Sequence, residues 1–153
     1  MPPDLAEARA CIGFALQRAS RSVTRHYDAV LRPVGLRSTQ FNLLVLLDAT
    51  GAITTTILAR QMAVERTTLS RNLVVLTNKG WVRSEPGEDL RVRRLSLTPQ
   101  GRRAAVKALS AWHKAQATLA KSLGSGPLGE LINRLVELDS IPPKLPHKGW
   151  VAD

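Results

Sequence analysis

Apolar side chains recur in steps of three and four from residue 4 to residue 31, at Leu5, Ala8, Ile12, Leu16, Ala19, Val23, Tyr27 and Val30, and so draw one stripe along a single long helix. Pro33 and Gly35 end it. A helix of about 28 residues spans about 42 Å at 1.5 Å per residue. That exceeds what a small domain needs to close its own core, so part of the stripe is expected to pack on a second copy of the chain. Ser38 and Thr39 are good caps for a second helix carrying Phe41, Leu43, Leu44 and Leu47, which halts near Gly51. After a short Ile53-Thr54 stretch, a two-turn helix from Thr55 to Gln61 points Ile57, Leu58 and Met62 inward.

A tight turn at Ala63-Val64 leads into a helix from Glu65 to Lys79. Leu69, Leu73 and Leu76 form its inner face and Arg66, Thr67, Ser70 and Arg71 its outer one, with Gly80 as its C-terminal stop. Two helices joined by a tight turn, the second presenting short polar and Arg side chains early, form the helix-turn-helix layout. Trp81 to Pro86 and Arg91 to Leu97 read as two strands around a polar Gly87-Glu88-Asp89-Leu90 turn, although Val92 is out of phase with Leu95 and Leu97. Thr98-Pro99 starts a helix that reaches Leu123, with Val106, Leu109, Trp112, Gln116, Leu119 and Leu123 on one side. Gly124-Ser125-Gly126-Pro127 breaks it, and Leu128, Leu131, Ile132, Leu135 and Leu138 mark a last short helix before Ile141-Pro142-Pro143.

The fold class that follows is mainly α with a small β-hairpin wing. One compact unit is expected, with an N-terminal dimerisation helix over 1–36, a winged helix-turn-helix over 37–98, and C-terminal dimerisation helices with a tail over 99–153. The tail, with Pro146 and Trp150, has no usable period.

Charge sharpens this picture. The chain of 153 residues carries a formal net charge of +10, and excess Lys and Arg attract polyanions. Between Arg60 and Arg103 stand Arg60, Arg66, Arg71, Lys79, Arg83, Arg91, Arg93, Arg94, Arg102 and Arg103, against only Glu65, Glu85, Glu88 and Asp89. The excess is therefore concentrated on the helix-turn-helix and hairpin, where double-stranded DNA is the first candidate partner. An anionic membrane is disfavoured, because no basic helix with bulky apolar anchors and no lipidation signal is present. Asp4, Glu7 and Arg9 interrupt any leader-like run, and no segment reads as a membrane span. With a single cysteine, no internal disulfide and no cysteine-rich metal site can form, and a reducing, cytoplasmic setting fits. His26, His113 and His147 are too scattered to suggest a metal site, and no cofactor is expected. No nucleophile motif, phosphate loop or zinc-helix signature is present, which argues against an enzyme. The rival to a DNA-binding protein is a basic module that binds an acidic protein.

The runs Val64-Glu65-Arg66-Thr67-Thr68-Leu69-Ser70-Arg71-Asn72-Leu73, Lys79-Gly80-Trp81-Val82, Glu88-Asp89-Leu90-Arg91 and Leu95-Ser96-Leu97-Thr98-Pro99-Gln100-Gly101, in that order, resemble the MarR family of regulators. The order of parts covers about residues 5 to 138. The resemblance implies a homodimeric winged helix-turn-helix repressor on a pseudo-palindromic operator, released by a small ligand or an oxidant. It places Arg66, Thr67, Thr68, Ser70 and Arg71 in the major groove. Arg can grip guanine O6 and N7, and Thr and Ser can serve bases or phosphates. Asp89 and Arg91 fall at the wing, where Arg is expected in the adjacent minor groove, whose narrow form concentrates negative potential. Arg93 and Arg94 are expected to meet phosphate or pack beside the wing. Ser38, Thr39 and Gln40, at a helix N-terminus, are phosphate candidates, since free N–H groups there favour anions.

Two kinds of signal fit such a regulator. For a small organic effector in a cleft between the DNA-binding part and the dimer helices, Arg18, His26, Tyr27, Trp112 and His113 are candidate lining residues. Cys11 is the candidate for redox sensing, because one branch of the family oxidises a first-helix cysteine. When Phe14-Ala15-Leu16 and Tyr27 are laid on those sensors, however, their cysteine falls at Gly13 and a supporting tyrosine at Gln17. Two residues along a helix rotate a side chain by about 200°, so a small apolar residue in the stripe is the better reading of Cys11.

Overall fold

The computed structural model describes residues 11–140 apart from Glu88, Leu90 and Arg91. Along it run α1 (Ile12–Leu31), a 3-10 turn (Arg32–Val34), α2 (Ser38–Thr50), β1 (Ile53–Thr54), α3 (Thr55–Met62), α4 (Arg66–Asn78), β2 (Val82–Pro86), β3 (Arg93–Leu97), α5 (Pro99–Leu123) and α6 (Ser125–Asp139). Two compact units divide within α5, between Ala115 and Gln116.

The first unit is built on a leucine core. Leu31, Leu43, Leu44, Leu47, Leu58, Leu69 and Leu76 are buried together with Phe41, Val82 and Leu95. Fully burying a side chain of this kind contributes about 1.5–3 kcal/mol, which is why short helices such as α3 persist. The inward side of α4 is the predicted one, Leu69, Leu73 and Leu76. Its end is a Schellman motif, in which Gly80 N–H donates to Thr77 O at 2.8 Å and Trp81 N–H to Leu76 O at 2.9 Å. That geometry needs the left-handed backbone Gly80 supplies, at φ 69°.

The hairpin is one strand richer than expected. β3 is the middle strand of an antiparallel sheet in the order β1-β3-β2, pairing Ile53 with Leu95 on one edge and Ser84 with Leu95 on the other. Val92 precedes β3 and lies in the turn, so its phase is set by the loop and not by the pleat. Residues 4–10 of the predicted first helix lie outside the described residues, as does the tail beyond residue 140.

The helix faces and ends add detail that the apolar pattern lacks. In α3, Leu58 and Ala59 are buried while Ile57 is 44% exposed, because so short a helix turns only one narrow face to the core. In α5 the packed residues are Gly101, Ala105, Ala108 and Ala115, while Val106 is 54% and Leu109 40% exposed. Small residues let the helix axis approach closely, and the bulky ones are left outside. Only Gly124 separates α5 from α6, so α6 begins at Ser125, ahead of Pro127, a residue tolerated in the first helical turn, where N–H groups lack intrahelical partners. In the second unit, Leu131, Ile132, Leu135, Val136 and Leu138 of α6 are exposed.

The start of α5 joins the sheet to the helix. Thr98 Oγ1 accepts from Gly101 N at 3.0 Å and donates to Gly80 O at 2.7 Å, while Thr98 N donates to Trp81 O at 3.0 Å. The Leu-Thr-Pro-x-Gly run thus caps a helix and pins the base of the wing at once.

Candidate nucleic-acid interface

α3 and α4 are joined by Ala63 in the left-handed conformation, φ 48°, which closes α3 through its N–H to Ala59 O and Arg60 O. From there α4 rises with Arg66, Thr67, Thr68, Ser70 and Arg71 all exposed. The Arg66 guanidinium reaches back to Thr56 Oγ1 of α3 at 3.3 Å, tying the two helices together. Ser70 Oγ donates to Arg66 O at 2.8 Å and Asn72 Nδ2 to Thr68 O at 2.9 Å. With its proton engaged, the exposed Ser70 hydroxyl keeps its acceptor capacity.

The wing is stiffer than a chain of solvated arginines. Arg93 donates through Nε to Ser84 Oγ at 3.0 Å and through its terminal nitrogen to Ser84 O at 2.8 Å, crossing to the facing strand. Arg94 donates to Ala52 O at 2.6 Å, bracing the approach to β1. Both lie beside the wing. Asp89 is exposed, and its carbonyl accepts from Val92 N at 2.9 Å in the turn. Arg91, the residue assigned to the minor groove, lies outside the described residues.

At the start of α2 the predicted phosphate contacts separate. Ser38 and Gln40 are buried. The Ser38 N–H donates to Asp28 Oδ1 at 2.7 Å, and Gln40 Oε1 accepts from Arg37 N at 3.1 Å. The cap is thus Arg37 and not Ser38. The helix end already holds a carboxylate of its own chain, so Ser38 and Gln40 serve the fold there. Arg37 itself is exposed and lines a groove of about 440 Å³ with Gln40, Thr68, Arg71, Asn72 and Val75. A basic residue one position before a helix start was the signal for it.

A separate cavity of about 270 Å³ is lined by Val23, Thr24, Tyr27, Leu31, Ser38, Thr39, Phe41, Asn42 and Trp112. Of the candidate effector residues it gathers Tyr27 and Trp112. Arg18, His26 and His113 are not among its lining. Arg18 lies over the Phe14 ring at 5.7 Å, His26 Nε2 stands 3.1 Å from Ala115 O, and His113 meets Trp112 edge-on at 5.0 Å. Each of these side chains has a neighbouring group of its own. Thr39, expected at DNA, lines this cavity instead. Cys11 is exposed at the cap of α1, where its side chain makes no capping hydrogen bond; it is not packed as a small apolar residue. Among the described residues no group of three His, Cys, Asp or Glu is placed to hold a metal, and no helix is long and apolar enough to cross a membrane.

Burial pushes the Tyr27 phenol above its ordinary value of 10.0. Tyr27 is the chain's one tyrosine, so phenolate absorbance reports it alone. The folded protein is expected to ionise above pH 10.0 and the urea-unfolded protein at the ordinary value. Because the folded value is the higher one, its contribution to stability is complete below pH 10.0 and is lost as the pH rises through the folded value. Coincident titration curves for the two states would refute this.

A model of the MarR family matches residues 36–92. The M. tuberculosis transcriptional regulator MosR, solved in complex with DNA, is 37% identical, with 84% of this chain and 93% of that one covered and a TM-score of 0.74. CouR, a transcriptional repressor solved on a 23-mer DNA duplex, is 26% identical over 90% of this chain and 99% of its own, with a TM-score of 0.78. The HTH-type transcriptional regulator YwoH of Bacillus subtilis is 29% identical over 85 residues, 56% of this chain. That match spans 62% of the length of YwoH, less than two thirds. With its helix-turn-helix, wing and flanking helices, the chain belongs to the MarR family of winged-helix transcription regulators, which are not enzymes.

Proposed function

We propose that this protein is a homodimeric, sequence-specific DNA-binding repressor that acts on a pseudo-palindromic operator and is released by a small organic ligand. The observation that carries the reading is the outer face of α4, where Arg66, Thr67, Thr68 and Ser70 stand exposed on a buried leucine base. Residues 37–98 do the DNA reading, and 1–36 and 99–153 bring two copies together. α4 enters the major groove, and Asp89 and Arg91 serve the minor groove at the wing. MosR and CouR were each solved with DNA, which supports the same partner here. A second copy is supported by uncovered apolar side chains on α1, Ile12, Phe14, Leu16 and Val23, and separately by those on α6. The cavity at Tyr27 and Trp112 offers aromatic faces with Thr24, Ser38, Thr39 and Asn42 among its lining, a chemistry suited to a small aromatic molecule with hydrogen-bonding groups.

The test is a footprint on the DNA flanking the protein's own gene, repeated over a salt series and with aromatic carboxylates added. A protected inverted repeat is expected, bound roughly a thousandfold more tightly than random duplex and weakening steeply as salt rises. Thr67→Ala is expected to change base preference at one position of each half-site by about 1–3 kcal/mol. Equal affinity for operator and random duplex would refute the reading, as would a monomer in sedimentation.

A further inference from the structure

The outer face of α4 is divided. Thr67, Ser70 and Val74 lie toward one side, whereas Thr68, Arg71, Asn72 and Val75 line the groove shared with Arg37 at the start of α2. Arg71 thereby shares its groove with Thr68 and not with Thr67 or Ser70. Neither the Arg37 nor the Arg71 guanidinium has a hydrogen-bond or ion-pair partner among the described residues, and both are exposed. Two cations lining one groove repel each other unless an anion sits between them.

A strut ties the segment that carries Arg37 to the end of α4. Lys79, the residue that caps α4, donates from Nζ to Gly35 O at 2.6 Å, and its ammonium lies 4.5 Å from the centroid of the Trp81 ring. Leu36, between Gly35 and Arg37, is buried. The backbone at Arg37 is anchored in turn by its N–H to Gln40 and by Asp28 on Ser38. These bonds fix where the Arg37 side chain leaves the surface relative to α4.

We propose that Arg37 and Arg71 form a two-arginine clamp for one phosphodiester of the DNA backbone, and that Lys79 is the positioning residue that sets its width. The proposal rests on the DNA-binding reading above. It moves Arg71 from base recognition to backbone recognition and adds Arg37, so the α2–α4 groove fixes the register of the protein on the duplex while Thr67 and Ser70 read bases. Planar guanidinium groups suit this task because each offers paired N–H donors to phosphate oxygens.

The test compares the unsubstituted protein, Arg37→Gln, Arg71→Gln and Lys79→Met on the footprinted operator, with a thermal melt of each to check folding. Arg37→Gln is expected to weaken binding about tenfold on operator and random duplex alike. It should also make the salt dependence shallower by about 0.9 in the log–log slope, the amount for one phosphate contact. Ethylation of one phosphate per half-site should block the unsubstituted protein and matter less for Arg37→Gln, and the same phosphate should respond to Arg71→Gln. Lys79→Met should weaken the unsubstituted protein but add little in the Arg37→Gln background, a non-additivity that loss of stability alone does not produce. Inorganic phosphate at millimolar concentration should leave the Arg37→Gln difference in place; abolishing it would mark the groove as a free-phosphate site and overturn the proposal. An unchanged slope and ethylation pattern in Arg37→Gln, with the unsubstituted protein binding well, sinks the clamp alone. Failure of the unsubstituted protein to bind any duplex sinks the DNA-binding reading and the clamp with it.

Discussion

Gly101→Ala is expected to destabilise the protein by about 2 kcal/mol, although alanine is the better helix former. A Cβ at this position would stand 2.1 Å from Trp81 O, 2.8 Å from Trp81 C and 2.9 Å from Leu97 Cδ1. Two of these atoms are backbone, and the Trp81 carbonyl is held by Thr98 N at 3.0 Å and Thr98 Oγ1 at 3.2 Å. Relief therefore requires either lifting the first turn of α5 or breaking the bonds that pin the wing. Overpacking of this kind costs about 1–3 kcal/mol and occasionally more, whereas replacing a helical Gly by Ala contributes only about 0.5–1 kcal/mol in the other direction. The clash wins. Urea denaturation of Gly101→Ala against Arg103→Ala, an exposed site on the same helix, checks this, with the Arg103 change expected within about 0.5 kcal/mol. Equal midpoints for the two variants would mean that α5 and the wing base can part without cost.

Leu69→Ala is expected to cost about 2–5 kcal/mol and to abolish operator binding at temperatures where the unsubstituted protein still binds. Leu69 is fully buried on the inner face of α4, together with Leu58 of α3 and Leu44 of α2 in one core. Removing its side chain empties the space beneath the turn that carries Thr68 and Ser70. Val74→Ala on the same helix is the comparison, since Val74 is 59% exposed and loses little packing. Denaturation curves for both variants, followed by binding below each melting point, separate stability from recognition. A loss under about 1 kcal/mol for Leu69→Ala would show that α4 is held by something other than this leucine base.

Both predictions join a readable sequence feature to a contact that sequence does not contain. The Leu69, Leu73, Leu76 spacing and the Gly80 stop were legible because helix period and a left-handed C-terminal residue are local properties of the chain. The Thr98-Pro99 start was legible for the same reason. β1 was not, because Ile53-Thr54 has no period of its own and becomes a strand only where the free edge of β3 offers it partners. The side of α5 that packs within the chain was not legible in its apolar stripe. Close approach of the helix instead selects Gly101, Ala105 and Ala108, and leaves Val106 and Leu109 outside.

The candidate site divides along the same line. Hydroxyls and arginines on the first turns of α4 could be named from their place in the helix-turn-helix run. Ser38 and Gln40, named for their place at a helix start, Arg93, named for its place by the wing, and the effector candidates His26 and His113 each prove tied to a neighbour of their own fold. The bond from Lys79 to Gly35, and with it the placing of Arg37 beside α4, was invisible, since the two residues are 44 apart along the chain.

Sequence by itself determined the order of helices, the turn chemistry at Gly80 and Thr98, and the concentration of positive charge on the central elements, because each depends on residues within a few positions of one another. Tertiary structure alone decided which face of α5 is buried, that the hairpin gains a third strand, and which polar side chains remain available to a partner. Those outcomes depend on whether a distant segment arrives to take a hydrogen bond or fill a space, and local period carries no record of that.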